Sequence, residues 1–402
     1  MTSGRSPAAA RHVDGAERRR RLLVRHHLAA PAASVEQVAG DLVGLHSSDP
    51  ATVVLALRAR LDPFTVGDVE DAIYERRSLL RMLAMRRTMF VVPLDLAAVL
   101  QTSCTNALVP AERRKLEVLL DGLGRPDVDG WIARLEGEVL AALAEHGPQP
   151  ATRLTKLVPD LARQLPMAVG KAYEGTIGVS TRLLFLMSAE GRIARARPLG
   201  SWISSQYRWV RMVDWVGPLP ELDAEGARIE LVRRWLRAYG PGTVDDLAWW
   251  TKWTKAAVRA ALTAVGAVPV TVDGPDGHVV PAWVLPDDLD DTPAPAPGVA
   301  LLPALDPTIM GWKERHWYLG PHRVPLFDRN GNAGPTVWVE GRAVGAWSQR
   351  AGGEVVTRLL EPVGRRVERR VEAAAARLTA WMAGVRVTPR FPTPLDRELA
   401  NG

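Results

Sequence analysis

A chain of 402 residues, 47% hydrophobic and 24% charged, has the composition of a globular protein, and its length suits roughly two to four domains. Its longest apolar runs, such as residues 53–57, are too short to span a bilayer, and the Arg-rich N-terminus lacks an apolar signal core. A single cysteine, Cys104, excludes a disulfide framework and a cysteine-based metal site, so the expected location is cytoplasmic. The net charge of +6 is carried by clustered arginines: 18–21 with Arg25; Arg86 and Arg87; Arg365, Arg366, Arg369 and Arg370. Such clusters suit a polyanionic partner, and each taken singly also suits a solvated helix face.

Residues 1–15 read as a disordered N-terminus. The first segment, 16–108, opens with a helix over 16–28. Ser34-Val35-Glu36-Gln37 has the form of a capping box and starts a second helix toward Val43. Then comes Gly44-Leu45-His46-Ser47-Ser48-Asp49-Pro50, a tight connection in which Asp49 is the N-cap and Pro50 the first position of a helix reaching Arg60. Thr65 with Asp68 caps a fourth helix. Alternating stretches at 79–85 and 88–92, joined through Arg86 and Arg87, read as a two-stranded ribbon. Helices followed by such a ribbon are the order of a winged helix.

The order recurs in 109–215 and 216–286. Helices over 131–145 and 229–238 end in His146-Gly147-Pro148 and Tyr239-Gly240-Pro241, each followed by a short capped helix. Ala30-Pro31 holds the equivalent place in the first segment, so the chain carries three weak copies of one helix–stop–helix unit. Residues 193–197 with 206–210, and 268–272 with 279–284, are the matching ribbons. Residues 287–298 are acidic and Pro/Ala-rich and read as a linker. The last segment, 299–385, has strands at 299–305, 336–339 and 343–347, an Asn330-Gly331 turn, and a helix over 365–382. They form a small antiparallel sheet or barrel, followed by an extended tail, 386–402.

Gly44-Leu45 with Asp49-Pro50, Arg58-Ala59-Arg60, Met85-Arg86-Arg87-Thr88-Met89-Phe90, Leu301-Leu302-Pro303-Ala304-Leu305-Asp306 and Asn330-Gly331 before 337–347 occur in this order and spacing. Together they resemble the AlkZ/YcaQ-type DNA glycosylases over residues 16–385. The resemblance implies an α+β, mainly α fold: three tandem winged-helix modules plus a C-terminal small antiparallel β-barrel. It also implies a monofunctional glycosylase that hydrolyses the N-glycosidic bond of alkylated or bulky-adducted purines, in DNA repair or antibiotic self-resistance. Double-stranded DNA is the implied partner, with a monomeric protein and neither cofactor nor metal. Four positions depart from the family pattern: in the strand motif Arg87 replaces Gly and Phe90 stands where His is usual, and the other two lie in the turn. Members carry Gln-X-Gln or Gln-X-Asp after the Gly-Leu, side chains that hold the catalytic water; here the positions are His46 and Ser48.

A purine alkylated at N7 is a cationic leaving group that departs neutral. The enzyme needs a placed water and stabilisation of the oxocarbenium-like sugar. Neutral His46 can orient the water and accept its proton, a service worth roughly 10²–10⁴-fold. The plain reading of a histidine in such a turn is structural. If His46 is a base, excision falls as pH drops below about 6.5. The Ser48 hydroxyl can orient water or a phosphate. Asp49 reads first as the helix cap and second as a carboxylate facing the sugar cation; Ser47 has no assigned role. No lysine stands in the motif to form a Schiff base, so lyase activity is not expected. Expected DNA contacts are Arg81, Arg86 and Arg87 on the first ribbon, Lys252 and Lys255 in the third module, and Trp312, Lys313 and Arg315 in the last segment, where basic and aromatic residues mix. The rival reading is a non-catalytic winged-helix DNA-binding protein, a regulator or damage sensor. Three modules in one chain favour a monomer that wraps DNA over a dimer on a palindrome.

Overall fold

The structure, a computed structural model, describes residues 10–121, 127–167, 170 and 174–401. The chain forms two compact units: one runs to Thr65 and resumes at Arg228, the other is Val66–Ala227. No helix among the described residues is long and apolar enough to cross a membrane.

In the first unit, helix Gly15–Arg25 starts where the Asp14 carboxylate accepts the Glu17 N–H at 2.7 Å. The helix buries charge as well as Leu22 and Leu23, because its arginines have acceptors. Arg21 pairs with Glu17 at 2.8 Å and Asp288 at 2.9 Å, Arg25 with Asp288 at 2.5 Å, and Arg20 with Asp291 at 2.7 Å. The acidic stretch 287–298 is thus tied at its start to the helix, and this arginine cluster spends much of its charge inside the protein. Residues 1–9 of the expected disordered N-terminus lie outside the described residues. His12–Val13, by contrast, is a strand parallel to Val268–Asp273, which pairs antiparallel with Val279–Val284.

The centre of this unit is aromatic. His26 stacks on Trp312 at 5.8 Å, Tyr239 meets Trp312 edge-on at 5.1 Å, Trp312 meets Trp317 at 5.0 Å, and Tyr318 stacks on Trp338 at 5.3 Å. Helix Pro50–Arg58 and the 301–306 motif lock together here. The fully buried Arg60 guanidinium donates to both Asp306 oxygens, at 2.7 and 2.9 Å, to Thr308 Oγ1 at 2.8 Å and to the His26 carbonyl at 2.9 Å. A buried charge pair holds only when its remaining donors are also satisfied, and these are.

The expected C-terminal barrel is instead an open sheet. Val299–Leu302, Thr336–Val339, Arg342–Gln349 and Val355–Leu359 pair antiparallel in that order, and the two outer strands do not meet. Four strands are too few to close around a packed interior. Helix Arg365–Met382 packs on the sheet through Val371, Ala375, Leu378 and Met382. The tail is not extended throughout: it ends in helix Pro394–Asn401, which buries Leu395 and Leu399.

The second unit holds the hairpin Leu79–Leu83 with Met89–Pro93 and the hairpin Ile193–Pro198 with Tyr207–Arg211. Helices Val109–Asp121, Val128–His146, Ala151–Leu157 and Val179–Ala189 share one core, built on Leu116, Ile132, Leu135, Val139, Leu154 and Leu183. The Gly147 stop after Val128–His146 has φ +66°, a backbone that glycine adopts without strain.

Candidate active site

The seven-residue connection singled out in the sequence is built by caps at both ends. Ser34 Oγ accepts the Gln37 N–H at 3.1 Å and opens helix Val35–Asp41. The chain then reverses through Val43 (φ 52°) and Gly44 (φ 101°). A β-branched residue at positive φ is strained. Bonds on both sides fix it: Gly44 N–H donates to the Ala39 carbonyl at 2.8 Å, and the buried Tyr239 hydroxyl donates to the Leu42 carbonyl at 2.7 Å.

Beyond the reversal, Leu45–His46 is extended and buried. Ser48 N–H donates to His46 Nδ1 at 3.5 Å. With Nδ1 as acceptor, the neutral ring carries its hydrogen on Nε2, an assignment from the hydrogen-bond pattern. Ser48 is partly exposed, and Ser47 is buried. Asp49 ends the turn. Its Oδ1 accepts the Ala51 N–H at 3.1 Å as the cap of helix Pro50–Arg58, and its Oδ2 accepts the Arg390 N–H at 2.9 Å. Burial pushes its carboxyl pKa up, against the lowering effect of those two N–H bonds and the Arg390 charge. The cap position of Asp49, the first of its two sequence readings, is thus occupied with both oxygens engaged.

The structure sorts the expected DNA contacts. Trp312 is 2% exposed, and its Nε1 donates to the Tyr239 carbonyl at 3.0 Å, so it is core and presents no ring to a base. Arg315 is buried between the rings of Trp249 and Phe327, at 4.8 and 5.0 Å. In the second unit, Arg81 is buried over the Tyr207 ring at 4.4 Å, and burial lowers its pKa. Each of these three side chains has a partner inside its own unit. Arg86 and Arg87 both adopt positive φ at the tip of the first hairpin. Arg87 is exposed and pairs with Glu112 at 2.8 Å; Arg86 is half-buried. Lys252, Lys255 and Lys313 are exposed, the last two sharing Asp245 at 2.5 and 3.2 Å. Sequence reasoning missed Arg390, whose guanidinium donates to the Ser48 carbonyl at 3.1 Å. Nothing in the spacing signals it, since it lies far along the chain. No group of three or more His, Cys, Asp or Glu side chains placed to hold a metal occurs among the described residues.

The family model described as DNA glycosylase AlkZ-like matches residues 39–381. Among solved structures, the DNA glycosylase AlkZ of Streptomyces sahachiroi shares the fold, with a TM-score of 0.67 over 94% of this chain and 99% of that one, at 22% sequence identity. No curated protein matches the chain.

Proposed function

The chain belongs to the AlkZ-like DNA glycosylase family, and on that footing we propose that it hydrolyses the N-glycosidic bond of N7-alkylated or bulky-adducted purines in double-stranded DNA. The observation that carries the reading is the buried turn at the head of helix Pro50–Arg58. It holds an imidazole and a hydroxyl at the two positions where the family keeps its water-holding amides.

The adducted purine leaves as a neutral base, taking the electron pair of the C1′–N9 bond. Water adds to C1′ of the resulting oxocarbenium-like sugar and loses a proton, leaving an abasic site. His46 Nε2–H donates to that water and fixes it, and the Ser48 hydroxyl supports it. In this tautomer the ring orients the water, whose proton passes to solvent; to take that proton itself the ring carries its hydrogen on Nδ1, turns the Nε2 lone pair to the water and gives up the Ser48 N–H. At 3.5 Å that bond is long, and releasing it costs little. The Asp49 carboxylate offsets the positive end of the helix dipole beside a cationic sugar. The absence of lysine from the turn fits hydrolysis without strand cleavage. We further read the hairpins with their preceding helices as winged helices. Arg87, Lys252, Lys255 and Lys313 then serve as phosphate contacts of a monomer, with repair or antibiotic self-resistance as the biological setting.

The test is a duplex oligonucleotide carrying an N7-alkylguanine, heated in alkali after incubation to reveal abasic sites. The wild type is expected to release the base, and His46→Ala to be slower by roughly 10²-fold or more. Excision that stays flat from pH 5 to 8 would remove the base role from His46 and leave orientation. No alkali-labile sites over a panel of small and bulky adducts, with tight binding to one short sequence, would instead identify a regulator.

A further inference from the structure

The segment after helix Arg365–Met382 lies beyond the residues that the family model matches, yet it is bonded to the turn that carries His46. Two anchors hold it on the four-stranded sheet. Buried Gln349, the last residue of strand Arg342–Gln349, accepts the Val387 N–H on Oε1 at 2.9 Å and donates through Nε2 to the Val385 carbonyl at 3.0 Å. Ser348 Oγ donates to Asp396 Oδ1 at 2.7 Å, which seats helix Pro394–Asn401. Between these anchors the chain passes Asp49. There the Arg390 N–H reaches Asp49 Oδ2 at 2.9 Å, and its guanidinium reaches the Ser48 carbonyl at 3.1 Å.

We propose that Arg390 is a positioning residue and that residues 385–397 act as a clasp on the catalytic turn. Ser48 is the residue it controls. Its carbonyl accepts from the Arg390 guanidinium, and its N–H makes the long contact to His46 Nδ1. Fixing the Ser48–Asp49 peptide at its carbonyl and the Asp49 carboxylate beside it limits the swing of the Ser48 hydroxyl and of the adjoining His46, whichever tautomer the ring holds. The Asp49 contact adds a charge-assisted bond to a buried carboxylate, which is the stronger kind. Site geometry held to fractions of an ångström is what water placement requires, and such geometry depends on the shell behind it. Arg390 touches neither the water nor the sugar in this scheme; it acts through the turn.

The inference rests on the turn being the catalytic centre, so its test has one arm that does not need activity. Arg390 is exposed, so Arg390→Ala removes the guanidinium without opening the core, and it keeps the backbone N–H to Asp49. In single-turnover excision from N7-methylguanine duplex DNA, Arg390→Ala is expected to be slower by about tenfold, the loss of one charge-assisted bond, with DNA affinity within about twofold of wild type. Arg390→Lys, which keeps one donor, recovers part of the rate. Amide hydrogen exchange over residues 45–52 rises in Arg390→Ala by about tenfold, while exchange in strand Arg342–Gln349 is unchanged. An unchanged exchange rate at the turn overturns the clasp, whatever the rates do. A rate that falls only as far as DNA affinity falls also overturns it, and makes Arg390 a phosphate contact. If the wild type excises nothing, the catalytic reading fails and the exchange arm still decides the clasp.

Discussion

Asp49 shows why one residue type can carry two readings. An aspartate before a proline at a helix start is a cap, and the structure uses it so; yet its second oxygen is free to bind something distant, and it holds Arg390. His26 is a sharper case of a polar residue given over to structure. It is fully buried, accepts from Thr308 Oγ1 at 2.9 Å, and donates through Nε2 to the Ala238 carbonyl at 3.2 Å. Burial and the neighbouring Arg60 charge hold its pKa well below the ordinary 6.5. The unfolded chain therefore binds a proton near pH 6.5 that the folded protein refuses. Stability from this group is complete above that pH and falls below it, by up to about 1.4 kcal/mol per pH unit. Urea unfolding at pH 7.5, 6.5 and 5.5 should show that slope in the wild type and a shallower one in His26→Asn. Parallel slopes would mean that the ring is protonated in the fold.

At the scale of elements, the helix–stop–helix pattern has a packing cause. After helix Ala224–Tyr239 the chain runs Gly240-Pro241-Gly242 into helix Val244–Thr251, which opens with a capping box between Thr243 and Asp246. A Cβ on Gly242 would overlap the ring of Trp235, which is fully buried and cannot yield. Gly242→Ala is expected to cost about 1–3 kcal/mol by overpacking. Gly137 makes the control. It is exposed within helix Val128–His146, and a Cβ there meets nothing within 4 Å, so Gly137→Ala should stabilise by about 1 kcal/mol. Opposite signs in chemical denaturation check both; equal signs would refute the steric account of the stop. The C-terminal sheet shows the limit of element-level reading. Its strands were visible as alternating runs, but an open sheet and a barrel have the same runs and differ only in whether the outer strands pair.

For the molecule as a whole, the excess of positive charge divides into an inward and an outward share. Arg20, Arg21 and Arg25 are matched by Glu17, Asp288 and Asp291, so these three add little to the external field. Helix Arg365–Met382 is different: one face is buried, and Arg365, Arg366, Arg369 and Arg370 are exposed. If this face meets DNA phosphates, the affinity for duplex DNA falls steeply with salt. The double variant Arg365→Gln/Arg366→Gln should then lower the slope of log affinity against log salt by about two. Titrations between low and moderate salt measure it. An unchanged slope assigns these arginines to a solvated face.

Local chemistry was legible from residue order, because caps, turns and alternating strands are decided by neighbours a few positions apart. Ser34, Asp49, Gly147 and the hairpin at Val268–Asp273 with Val279–Val284 all stand where their residue types place them. The turn bearing His46 and Ser48 was visible for the same reason. Destinations of charge were not. Whether Arg81, Arg315 or Trp312 would face DNA or core depended on rings and carbonyls that only folding brings near. Arg60 and Asp306 are separated by most of the chain and become one buried pair, and Asp49 meets Arg390 across a longer separation still. A sequence states which groups need partners; desolvation makes an unmet need costly, and only the tertiary structure decides which partner meets it.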